Sequence, residues 1–94
     1  MIKEVNVSNE DIFTSKPLDA CNCAIAKSLN KAFNVDNAEV KCDIKKYNVD
    51  IFFVVNKIIY DKNKIINYDE VSTFITMFDM GVKELKPFQF GVIL

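Results

Sequence analysis

The stretch Val49-Asp50-Ile51-Phe52-Phe53-Val54-Val55 decides how this chain is read. From Ile51 to Val55 it is an unbroken run of β-branched and aromatic residues, too short for a buried helix and suited to a pleated strand. Such a run predicts a central strand covered on both faces. Upstream, Val40, Cys42 and Ile44 alternate with Lys41, Asp43 and Lys45, the period of a half-buried strand, and Asn48 serves as the turn residue between the two. Downstream, Ile58-Ile59-Tyr60 and Ile65-Ile66 flank Asp61-Lys62-Asn63-Lys64, which predicts a short hairpin with a four-residue loop.

Outward from this middle the period changes. Cys21, Ile25, Leu29, Ala32 and Phe33 recur at helical spacing, so a helix is expected from Ala20 to Phe33, capped by Asp19 and stopped at Asn34. Val71, Phe74, Ile75 and Phe78 make a second helical stripe, begun at Asn67 or Tyr68 and stopped at Gly81. Ile2 to Val7 reads as a first strand. Ser8 with an acid three residues on then starts a brief helical turn, and Lys16-Pro17 ends it. Phe88, Phe90, Val92 and Leu94 alternate as a last strand. The order is β-α-β-β-β-β-α-β. The expectation is one α+β domain over residues 1–94, with a mixed or antiparallel sheet of four to six strands and two helices packed on one face.

Composition bounds the chemistry. The 94 residues contain 12 basic side chains, all lysine, with no arginine, histidine or tryptophan. Ser-His-Asp and Cys-His catalytic units, imidazole metal sites and bidentate guanidinium clamps are therefore excluded. The bias toward Lys, Asn and Ile fits an AT-rich genome. A net charge of -1 argues against binding duplex DNA, which favours a basic surplus. Three cysteines, an odd number, fit a reducing cytoplasm rather than a disulfide framework. No stretch approaches the ~18 apolar residues of a membrane span, and Met1 to Val5 contains no signal core. Half the chain is apolar, which is much for a small body, so part of that content is expected to face a second copy. The last strand or the hairpin is the expected contact.

The candidate sites follow from these limits. Cys21 and Cys23 with Cys42 offer three thiols, but C-x-C spacing inside a helix points them apart and a fourth ligand is missing. Cys21 and Cys42 are expected as small core residues, with no metal and no cofactor. Asp43, Asp50 and Asp79 could supply acid–base pairs if two of them converged. Lys45, Tyr47, Lys57 and Tyr60 interleave charge with aromatic rings, a combination suited to a phosphate and a base. The same lysines would also protect a sheet edge from pairing.

Two segments carry a resemblance. Asp19-x-Cys21-Asn22-Cys23-Ala24-Ile25-Ala26-Lys27-Ser28-Leu29 is one. Phe74-Ile75-x-x-Phe78-Asp79-x-Gly81, followed by Pro87-Phe88-x-Phe90, is the other. Together they resemble a group of short bacteriophage and mobile-element proteins of unassigned activity. Those often show Cys-x-x-Cys-Pro where this chain has Cys-x-Cys and Ala24. The resemblance implies a phage-type origin and a role inside the infected host cytoplasm, often against its defences. On that basis the leading expectation is a non-enzymatic binder, working as a homo-oligomer, that sequesters a small cyclic-nucleotide immune signal through Lys45, Tyr47, Lys57 and Tyr60. A protein–protein inhibitor of a host nuclease or defence protein, using an acidic or apolar face, is the alternative. A small carboxylate hydrolase using Asp43 or Asp79 is the third reading.

Overall fold

Ser8 and Asp11 set the first change of direction in the chain. The Asp11 N–H donates to Ser8 Oγ and the Ser8 N–H donates to the Asp11 carboxylate, both at 3.1 Å. This reciprocal cap ends strand β1 (Ile2–Val7) and starts the short helix α1 (Asn9–Thr14). Asp11 is buried, and the same carboxylate takes Lys31 Nζ at 2.8 Å, which ties α1 to the next helix. The computed structural model describes residues 1–16, 21–44, 49–82 and 84–94.

Helix α2 (Ala24–Phe33) starts later than its stripe suggests. Cys23 caps it, the sulfur accepting the Ala26 N–H at 3.4 Å, while Cys21 and Asn22 form a turn ahead of it. The expected cap and first residue, Asp19 and Ala20, lie outside the described residues. The start was misplaced because cysteine is a rare cap, and Cys21 falls on the helical period by coincidence. The consequence is a reversal: Cys23 is buried and Cys21 is exposed. Asn34 stops the helix as expected, with φ 54° and with Val35 N–H donating to the Asn30 carbonyl at 3.0 Å.

The strands divide into two antiparallel sheets of three, where one sheet was expected. β2 (Glu39–Ile44), β3 (Val49–Val55) and β4 (Ile58–Tyr60) form one, in that order. β1, β6 (Phe88–Ile93) and β5 (Ile65–Ile66) form the other, with β6 in the middle. The hairpin therefore turns at Asn56-Lys57, not at 61–64. Both turn residues are left-handed, at φ 51° and 66°, as a two-residue type I′ turn requires, and Val55 pairs with Ile58. Residues 61–64 instead carry the chain from one sheet to the other through a 3₁₀ turn (Lys62–Lys64) capped by Asp61.

One core joins the layers, and the α+β class holds. Phe53 of β3 meets Phe90 of β6 at a ring separation of 5.7 Å, and Phe33 of α2 meets Tyr60 of β4 at 5.9 Å. Helix α3 (Tyr68–Asp79) buries Val71, Phe74 and Phe78, and Phe74 lies 4.9 Å from the Phe88 ring. Its stop is the expected Gly81, at φ 81°, with Val82 N–H on the Met77 carbonyl and Gly81 N–H on that of Phe78. Among the described residues, no helix is long and apolar enough to cross a membrane.

Two burial expectations are corrected. β3 is covered on one face only: Ile51, Phe53 and Val55 are buried, whereas Asp50, Phe52 and Val54 are half-buried. In β2 only Val40 is buried. Cys42 is exposed and Ile44 is 80% exposed, because this end of the β2–β3 ladder projects past the core.

Candidate binding face

The outer face of the β2–β3–β4 sheet is built by the register of its strands. Lys41 stands opposite Phe52, Asp43 opposite Asp50, and Val54 opposite Ile59. Because residues facing each other across a sheet share one side, these six side chains lie together, away from the core. Phe52 and Val54 are half-buried and Ile59 is 64% exposed, so an apolar strip is left open. Asp61 arrives at its margin as the chain leaves β4 and caps the 3₁₀ turn, its carboxylate accepting the Asn63 N–H at 3.0 Å.

Between the strip and this turn lies a groove of about 340 Å³, lined by Asp43, Asp50 and Asp61 along with Phe52, Ile59 and Lys62. Lys62 Nζ sits 3.8 Å from Asp50. Asp43 has no ion-pair partner among the described residues. Two carboxylates directly opposite each other weaken sheet pairing, and Lys62 beside Asp50 offsets part of that repulsion.

Two other cavities are also acidic or apolar. A space of about 500 Å³ between α3 and the segment leading into β6 carries Asp69, Glu70 and Glu84 against Lys86. A third, of about 470 Å³, runs between α3 and the inner side of β2 and β3, where Cys42 and Val49 face Ile75, Asp79 and Met80. Asp43 and Asp79 thus lie on different cavities and do not converge as an acid–base pair. Among the described residues, no group of three or more Cys, Asp or Glu side chains is arranged to hold a metal ion.

Of the four expected ligand residues, two fall among the described residues. Lys45 and Tyr47 lie outside those residues. Lys57 is exposed on the Asn56-Lys57 turn. Tyr60 is 8% exposed and packed on Phe33, so its ring belongs to the core and is not an open stacking face. It points inward because it stands opposite Phe53, a residue of the buried side of β3. Phe52, Ile59 and Asp61 were not singled out from sequence. Placing the hairpin turn at Asn56-Lys57 would have found them, since that turn alone sets which residues of β3 and β4 share a side.

The acidity of the Cys23 thiol is displaced. Burial pushes its pKa up, and the nearby Asp79 carboxylate adds to this against the opposing hydrogen bond from Ala26. A thiol held protonated in this way is a packing and capping group rather than a nucleophile. No family model, curated protein or solved structure matches this chain.

Proposed function

We propose that this protein is a non-catalytic protein-binding module. Its outer β2–β3–β4 face would dock a basic, partly apolar surface of another protein. The observation that carries this reading is the open strip of Phe52, Val54 and Ile59, bordered by Asp43, Asp50 and Asp61. An apolar centre with a charged margin is the usual anatomy of a transient interface. The acids select a cationic partner, and they speed its approach at low salt.

The phage resemblance supplies the setting. A host nuclease or defence protein that handles nucleic acid needs a basic surface, and an acidic face can occupy such a surface. Capture of a cyclic nucleotide has less support: carboxylates in the grooves repel phosphate, and Tyr60 is enclosed. The carboxylate hydrolase has the shared groove of Asp43 and Asp50 in its favour, but among the described residues no Ser, Thr or Cys nucleophile lines that groove.

The test is an NMR titration of the isotopically labelled protein with a Lys/Arg-rich peptide containing Leu and Phe. A panel of cyclic oligonucleotides is titrated in parallel. Shifts should map to Phe52, Val54 and Ile59, weaken as salt rises, and need roughly tenfold more peptide in Ile59→Asp or Asp61→Asn. Saturable shifts with a nucleotide and none with the peptide would overturn the reading, as would turnover of any nucleotide.

A further inference from the structure

We propose that two copies of this chain pair antiparallel along β2, with Cys42 of each on the two-fold axis and Lys41 of each opposite the partner's Asp43. This inference does not rest on the docking face above, although Lys41 and Asp43 belong to both. It rests on the free edge of the same sheet.

β2 is an outer strand, and the direction of its hydrogen-bonding groups can be worked out from β3. The Ile51 N–H donates to the Tyr68 hydroxyl at 2.7 Å, and so points away from β2. Cys42, which stands opposite Ile51, is then in a pair without mutual hydrogen bonds. Its own N–H and carbonyl face the open side, as do those of Val40 and Ile44, two residues away in each direction. Among the described residues these groups make no hydrogen bond with any other segment.

A second β2 can satisfy them only if outward-facing residues meet outward-facing residues. In a symmetric antiparallel pair this leaves a few registers, and charge selects among them. Centring on Lys41 would set lysine against lysine and Glu39 against the partner's Asp43. Centring on Asp43 would set aspartate against aspartate. Centring on Val40 leaves only three residues paired. Centring on Cys42 pairs five residues, 40–44, and sets Lys41 against the partner's Asp43 twice over. It also sets Val40 against the partner's Ile44, covering a side chain that is 80% exposed. Asp43, crowded by Asp50 and lacking an ion-pair partner among the described residues, gains a cation. Lys41 is half exposed and only loosely held by Glu39 at 3.5 Å, so it can be redirected.

The remaining edges offer less. On β1, Lys3 and Glu4 are adjacent and so can never oppose each other in a symmetric antiparallel pairing of this kind. β4 and β5 have three residues and two. β6, the expected contact, is flanked on both sides. A five-residue edge is a small interface, so the dimer should exchange reversibly and appear as protein concentration rises.

Sedimentation and disulfide trapping test this together. Opposed residues in a hydrogen-bonded antiparallel pair lie about 5.5 Å apart, within the span of a disulfide. Diamide, which takes up two electrons and two protons as two thiols join, should therefore trap a covalent dimer. That dimer should persist in Cys21→Ser and Cys23→Ser and vanish in Cys42→Ser. Lys41→Asp alone and Asp43→Lys alone should each weaken association roughly tenfold or more, and the double exchange should restore it. A monomer at every concentration, trapping through Cys21, or failure of the double exchange to rescue would each overturn the proposal. Circular dichroism of the variants separates misfolding from lost association.

Discussion

At Cys23 the chain places sulfur where helix caps usually carry oxygen. The thiol is buried and accepts the Ala26 N–H, and burial raises its pKa above the ordinary thiol value. Below the unfolded value both states hold the proton, and the stabilisation is fully present. As pH rises past it, the unfolded chain loses its proton first, and stability declines through the folded value. Urea midpoints should therefore fall at alkaline pH, and Cys23→Ser, which keeps a cap acceptor, should lessen that fall. In the native protein Cys21 and Cys42 should react with a thiol reagent and Cys23 only after unfolding. Equal native rates for all three would refute the buried cap. The sequence carries three equivalent-looking cysteines; their difference arises from a helix start four residues later than the apolar period suggests.

The β3–β4 hairpin shows what an element needs that its apolar run does not state. Asn56 and Lys57 both adopt positive φ, and the turn is clamped by Asn37, whose side chain exchanges two hydrogen bonds with Asn56 at 2.8 and 2.9 Å. Lysine is strained in this conformation, whereas glycine is not. Lys57→Gly should stabilise the fold by about 0.5–1 kcal/mol, seen as a higher urea midpoint at unchanged slope. A lower midpoint would mean that the turn is not left-handed at this position. Asn-Lys is a weak form of the Asn-Gly hairpin signal, while Asp61 to Lys64 is rich in turn formers. Local composition therefore favoured the wrong loop. The register shift that followed put Tyr60 on the buried side and brought Phe52 and Ile59 to the open one.

The two sheets behave as one body because Phe53 and Phe90 bridge them. Phe53 has no exposed surface. Phe53→Ala should cost about 3–5 kcal/mol, and the loss should be shared. Hydrogen exchange should quicken in β1 and β6 as well as in β3. Confinement of the change to β2–β4 would show that the sheets unfold independently. Gly91 contributes at the same scale: in the central strand it leaves the space that Ile2 and Ile66 fill from either side.

The sequence by itself determined the α+β class, the six strands, the Ser8–Asp11 cap, the stops at Asn34 and Gly81, and the absence of imidazole and guanidinium chemistry. All of these depend on residue type or on contacts within a few positions. Tertiary structure decided the rest: two sheets in place of one, the burial of Cys23 and Tyr60, and the gathering of Asp43, Asp50 and Asp61 beside Phe52 and Ile59. Those outcomes hang on strand register and on which edges pair. Both are set by packing between residues far apart in the chain, where no local signal reaches.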